Sequence, residues 1–144
     1  MNKKIENTEA SAKMFLLVHA GYVLERRIEQ VLEEAGLSNY KFAVLSALVS
    51  AEEPIGLSEL ALTLFCARSN ITQLLDSLES DGLVCRIAIP NNRRSKKAEL
   101  TQLGKLRFID GAKAIDAFLK SFPVDWNSLS SETMQELIDS AKST

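Results

Sequence analysis

At 144 residues, 46% hydrophobic and 25% charged, the chain is long enough for one domain with a real core, and it lacks the bias of a disordered or collagen-like protein. Two cysteines do not make a disulfide framework, and one histidine with two cysteines gives no familiar zinc spacing, so neither a metal nor a cofactor is expected. The net charge of −2 speaks against a nucleic-acid partner only until its distribution is read: between positions 86 and 107, Arg86, Arg93, Arg94, Lys96, Lys97, Lys105 and Arg107 face Glu99 alone, a local excess of six positive charges.

The first predicted helix runs from about Thr8 to Ala35, with Gly36 as its stop. Its apolar run, Met14 to Leu24, is far shorter than the roughly 20 residues that span a bilayer, and it lacks the layout of a signal peptide. The expectation is a cytoplasmic chain with no membrane partner. Leu17, Leu24, Ile28, Val31 and Ala35 form one apolar stripe, and Phe15, Val18 and Tyr22 cover a second side. A helix apolar on two sides needs two partner surfaces, and in so small a chain the second can be another subunit.

Ser38 is a good N-cap for a second helix, whose apolar positions are Phe42, Leu45, Leu48 and Val49. The turn Glu52-Glu53-Pro54 ends it, and Ile55-Gly56-Leu57 is at most a minimal strand. Ser58 is expected to cap a third helix, with Leu60, Ala61 and Leu64 inward. After a tight connection at Phe65-Cys66-Ala67, a fourth helix places Ile71, Leu74, Leu75 and Leu78 at i, i+3, i+4, i+7 and stops at Asp81-Gly82.

Leu83 to Ile89 reads as a strand whose apolar face is Leu83, Cys85, Ile87 and Ile89, with Val84, Arg86 and Ala88 opposite. Pro90-Asn91-Asn92 turns the chain, and Lys96 to Leu100 returns as a second strand. Thr101 caps a fifth helix that reaches about Phe122. Pro123 to Leu129 is a loop carrying Trp126. Ser130 caps a sixth helix, with Leu129 and Met134 placed as a hydrophobic staple and Met134, Leu137, Ile138 and Ala141 as its apolar stripe.

With the stripe of the fourth helix inward, Ser69, Gln73 and Asp76 face out, flanked by Asn70, Thr72 and Ser77, with Arg68 near the start. Amides and hydroxyls suit base edges in a major groove, and the helix N-terminus suits phosphate. Asp76 repels DNA, so it must sit past the bases or pair with a cation. Arg93 and Arg94 at the hairpin tip suit a minor groove, and Lys96 and Lys97 suit the flanking phosphates. An ordinary solvated helix face with an incidentally basic hairpin accounts for the same residues.

The motifs decide between the two. L-S-x-x-K-F-x-V-L (Leu37 to Leu45), S-E-L-A (Ser58 to Ala61), R-S-N-I-T-Q-L-L-D-S-L-E-x-D-G-L-V-x-R (Arg68 to Arg86) and P-N-N-R-R-S-K-K-A-E-L-T-x-x-G (Pro90 to Gly104), in that order, resemble the MarR family of winged helix-turn-helix transcription regulators. The resemblance implies a mainly α fold with a small β-hairpin wing. Residues 37–104 would be the winged helix-turn-helix DNA-binding region, and residues 1–36 and 105–144 a helical dimerisation region. It further implies a homodimer, a pseudo-palindromic operator on double-stranded DNA, and a repressor role. Arg68, Ser69, Asn70, Thr72 and Gln73 match the base-contacting positions, and Arg94 matches the wing arginine. Three positions depart from the family. Asn92 stands where an Asp usually orients that arginine, Ala67 where a Ser often caps the recognition helix, and Lys41 where Gln is common.

Some relatives sense oxidants through cysteine, which makes Cys66, beside the recognition helix, a redox candidate; Cys66 and Cys85 also read as small buried hydrophobes. Others bind a small aromatic or acidic effector, and Phe15, His19 and Tyr22 could line such a site. A lone His among apolar neighbours is more often a satisfied core residue. The alternative function is a winged-helix protein-interaction module that does not bind DNA. No G-x-S-x-G, no P-loop and no spare histidine support an enzyme, and no catalytic residue is assigned.

Overall fold

Three of the expected hydroxyl caps start three helices. In the computed structural model, which describes residues 8–64 and 67–143, the Ser38 hydroxyl accepts from the Lys41 N–H at 3.1 Å and opens α2 (Asn39–Ser50). Thr101 accepts from the Gly104 N–H at 3.0 Å and opens α5 (Gln102–Ser121). Ser130 accepts from the Thr133 N–H at 3.1 Å and opens α6 (Ser131–Lys142). Each satisfies a backbone donor that the first helical turn leaves without a partner.

Glycines end two further helices. α1 (Thr8–Glu33) stops where Gly36 takes φ +68°, and the Leu37 and Gly36 N–H groups return to the Leu32 and Glu33 carbonyls. α4 (Arg68–Ser80) stops at Gly82, φ +75°, with Leu83 and Gly82 bonding back to Leu78 and Glu79. Both are the paired bonds of a left-handed helix stop, which glycine reaches without a Cβ penalty. The third helix, α3 (Leu57–Leu64), departs from expectation. It begins at Leu57, directly after β1 (Ile55–Gly56), so Ser58 lies inside its first turn and is not its N-cap.

The sheet has the order β1-β3-β2, all antiparallel, with β2 spanning Val84–Ile89 and β3 Asn92–Leu100. Ile55 pairs with Ala98 and Arg86 pairs with the same residue from the other side. β3 therefore begins earlier than the expected Lys96 and is the central strand. The inward face of β2 is also the opposite of the expected one. Val84 is buried and Arg86 half-buried toward the core, whereas Ile87 is exposed and Cys85 pairs outward with Glu99. Both faces of the strand carry apolar residues, so alternation alone did not decide which one α4 would cover.

α2 runs through the centre of the core. Its buried residues are Val44, Leu45 and Leu48, while Val49, expected inside, is 44% exposed. Around it pack Leu32 of α1, Leu60 of α3, Ile71, Leu75 and Leu78 of α4, and Leu83, Val84 and Ala98 of the sheet. Phe42 of α2 stacks on Phe108 of α5 at 5.4 Å. α1 reaches the same unit through Glu29, which accepts from the Asn39 N–H at 2.7 Å, and Arg107 of α5 donates to the Ala35 carbonyl at 3.4 Å.

The N-terminal half of α1 and the whole of α6 contribute no buried residue. Met14, Phe15, Val18 and Tyr22 on the first and Met134, Leu137 and Ile138 on the second stay open to solvent. No helix among the described residues is long and apolar enough to cross a membrane.

Candidate nucleic-acid interface

Ile71, Leu75 and Leu78 are completely buried, and their spacing anchors one stripe of α4 in the core. The same rotation leaves Ser69, Asn70 and Gln73 exposed away from the core, and Arg68 is exposed at the helix start. Thr72 differs from these four. It is half-buried, and its hydroxyl donates to the Arg68 carbonyl at 3.1 Å, so its polar group is held by its own helix. Ala67 occupies the N-cap with extended backbone and provides no side-chain hydrogen bond. The opening turn of α4 thus keeps backbone donors that a phosphate can take up.

Beside this face an open groove of about 560 Å³ is lined by Tyr40, Lys41, Asn70, Gln73 and Ser77. Lys41 pairs with Asp81 at 2.7 Å and Tyr40 donates to Glu25 at 3.4 Å. Composition did not reveal these anchoring contacts, because each joins residues from different elements.

The wing turns at Pro90-Asn91, where Asn91 takes φ +67°. Ile89 pairs with Asn92, but the next pair is Ala88 with Lys96. Residues 93–95 therefore bulge out of the ladder at the tip, which is how the hairpin presents Arg94. Asn92 accepts from the Arg94 backbone N–H at 3.3 Å, so its side chain shapes the bulge. Arg94 and Lys96 are exposed; the side chain of Arg93 lies outside the described residues. Lys97 is half-buried and alternates with Lys96, so the two lysines leave the sheet on opposite faces.

Asp76, the residue least suited to DNA, is paired. Arg86 of β2 meets its carboxylate at 2.7 Å, comes within 3.9 Å of Glu79, and donates to the Thr72 carbonyl at 3.2 Å. One cation of the basic segment is thereby tied to α4. Arg107 of α5 reaches the end of α1, and the positive charge left for a partner concentrates on the wing.

The remaining candidates lie elsewhere. Phe15, His19 and Tyr22 follow one another along a single stripe of α1, all exposed, Phe15 by 67%. Tyr22 lines a cavity of about 320 Å³ with Arg26, Arg27, Gln30 and Phe122, and the Arg26 guanidinium lies 5.8 Å from its ring; Phe15 and His19 do not line that cavity. Cys66 lies outside the described residues. Partial burial pushes the Cys85 thiol above its ordinary range, and the Glu99 carboxylate, 3.8 Å from the sulfur, adds to the shift. Among the described residues no cluster of three or more His, Cys, Asp or Glu could hold a metal ion.

Comparison with known proteins agrees with this arrangement. A family model described as "MarR family" matches residues 37–96. The chain is 34% identical to the HTH-type transcriptional regulator PrsX of Escherichia coli over 92 residues, 63% of this chain and 55% of PrsX, so it spans about half the length of that relative. It is 30% identical to the HTH-type transcriptional regulator MhqR of Bacillus subtilis (strain 168) over 99 residues, 67% of each chain. CouR from Rhodococcus jostii RHA1, solved bound to p-coumaroyl-CoA, superposes with a TM-score of 0.74 at 25% identity, covering 95% of this chain and 94% of that one. PrsX and MhqR are transcription regulators rather than enzymes, and with four motifs, the winged-helix topology and the full-length structural match in agreement, the chain belongs to the MarR family.

Proposed function

We propose that the protein is a transcription repressor that binds double-stranded DNA as a homodimer on a pseudo-palindromic operator. The observation that carries this reading is the juxtaposition of two surfaces. The exposed polar face of α4, with Arg68, Ser69, Asn70 and Gln73, stands beside a bulged wing that holds Arg94 and Lys96 out in solvent. α4 supplies groups that read base edges, and the wing supplies groups that neutralise phosphate. The pairing of Asp76 with Arg86 removes the charge that argued most directly against DNA at this face.

The homodimer is supported by the uncovered apolar faces of α1 and α6. A patch of that kind on a soluble domain marks an association surface. Two copies joined there would present two recognition helices to successive major grooves.

We further propose release by a small aromatic or acidic effector. Tyr22 and Phe122, with Arg26 and Arg27 alongside, combine ring surfaces with guanidinium groups, which suits an aromatic anion. CouR was solved bound to p-coumaroyl-CoA, whose acyl group is aromatic. A thermal-shift screen of aromatic carboxylates on wild type and His19→Ala tests the role of His19, and identical responses would remove it.

The deciding experiment is a titration of the protein on duplex DNA at several salt concentrations. Binding should weaken steeply as salt rises, in proportion to the phosphates neutralised. Absence of binding at low salt would instead favour a protein-interaction module.

A further inference from the structure

We propose that Arg86 is a positioning residue for DNA recognition: it sets the rotation of α4 against the wing and cancels Asp76 and Glu79 without itself touching DNA. The inference rests on the DNA-binding reading above and assigns a role to a residue outside both contact surfaces.

The geometry ties one guanidinium nitrogen of Arg86 to two turns of α4. Arg86 projects from the inward face of β2, and its side chain is only 18% exposed. Nη2 reaches both the Thr72 carbonyl oxygen at 3.2 Å and the Asp76 carboxylate at 2.7 Å. Nε is buried without a hydrogen bond, 3.9 Å from Glu79. Thr72, Asp76 and Glu79 are spaced i, i+4, i+7, one stripe along α4. A single cationic nitrogen shared between two successive turns of that stripe opposes rotation of the helix as well as its departure from the sheet.

That rotation is what recognition depends on. Gln73 follows Thr72 directly, and Ser69 lies one turn before Gln73. If α4 turns about its axis, both leave the angle at which their short side chains reach a base edge. Charge acts in the same direction. Asp76 is 59% exposed on the side of α4 next to Gln73, where an unpaired carboxylate would meet phosphate. The burial of Arg86 separates this role from that of a phosphate anchor such as Arg94, which is exposed.

The test uses the tightest duplex recovered from a random-sequence selection with the wild-type protein, and a scrambled duplex of equal length. Affinities for both are measured across a salt series for wild type, Arg86→Met, Arg86→Lys, and Arg86→Met combined with Asp76→Asn and Glu79→Gln. Arg86→Met should lose about tenfold in affinity for the selected duplex, in the range of coupled neighbouring groups. Its ratio of selected to scrambled affinity should fall while the salt slope stays at the wild-type value. The triple variant should regain affinity for both duplexes but not the ratio, because the charge is cancelled and the helix is still not held. Arg86→Lys should fall between wild type and Arg86→Met.

A slope reduced by about one, as for loss of a phosphate contact, would overturn the proposal. So would an unchanged affinity ratio. If Arg86→Met does not fold, Asp76→Ala serves in its place: it removes the acceptor that Nη2 meets at 2.7 Å, and an undiminished ratio there overturns the proposal equally. Failure of the wild type to bind any duplex overturns the DNA reading and this inference with it, whereas wild-type binding with an insensitive Arg86 overturns the inference alone.

Discussion

A methyl group placed on Gly104 would overlap the Leu83 carbonyl oxygen. α5 begins against the entry to β2, and the Thr101 N–H donates to that same carbonyl at 3.1 Å while the Thr101 hydroxyl donates to Gly82 at 2.6 Å. The obstacle is backbone, which cannot swing aside as a side chain can. Gly104→Ala should therefore cost about 1–3 kcal/mol of stability, the usual penalty of overpacking. Equilibrium unfolding in denaturant checks it, and an unchanged midpoint would show that the close approach is absent in solution.

The uncapped start of α4 gives a prediction of opposite sign. Ala67 already has the extended backbone of an N-cap, and its carbonyl accepts from the Asn70 N–H at 2.9 Å. Ala67→Ser adds the missing acceptor and should stabilise the chain by about 1 kcal/mol. The denaturation midpoint should rise with the slope unchanged.

Two substitutions separate reading from anchoring. Arg94→Ala should weaken binding to all duplexes and lower the salt slope by about one. Gln73→Ala should leave the slope alone and relax the base preference at one position of each half-site. If both variants keep wild-type affinity and selectivity, the docking proposed for α4 and the wing is wrong.

The open apolar faces predict the state of assembly. Val18 and Leu137 are 65% and 49% exposed and take no part in the core. Val18→Glu combined with Leu137→Glu should leave the thermal midpoint of the winged-helix unit in place and convert a dimer to monomers at micromolar concentration. Sedimentation equilibrium reads the change directly; a double variant that remains dimeric would place the interface elsewhere.

Cys85 predicts a pH dependence. Its thiol is raised above the ordinary value of 9.0, first by burial and then by Glu99. A raised acid keeps its proton longer in the folded state than in the unfolded one. Below pH 9 the group therefore contributes no slope, and above it stability should fall as the unfolded chain ionises first. Alkylation at pH 8.5 should be slower than for a free thiol, and Glu99→Gln should speed it without unfolding the chain.

How far the sequence reached can be judged at particular residues. Ser38, Thr101 and Ser130 were legible as caps, and Gly36 and Gly82 as stops, because each acts on backbone within a few positions of itself. The polar face of α4 was legible from its spacing alone, since burying Ile71, Leu75 and Leu78 leaves Ser69 and Gln73 one direction to point. Ser58 was misjudged because β1 hands the chain to α3 two residues earlier than a cap at that position would. Val44 was missed and Val49 wrongly placed inside because α2 is surrounded by several elements, and a helix apolar on many sides does not declare its deepest face.

The sequence by itself therefore determined the order of elements, the basic hairpin and the residues offered to a groove. The tertiary structure decided which face of β2 turns inward, since apolar residues lie on both and only contact with α4 distinguishes them. It also decided the fate of Asp76 and Arg86. Ten positions apart in a chain of many charges, they have no periodic relation. They meet because the Schellman stop at Gly82 folds β2 back along α4, and that return changes a repulsive carboxylate into part of a paired network.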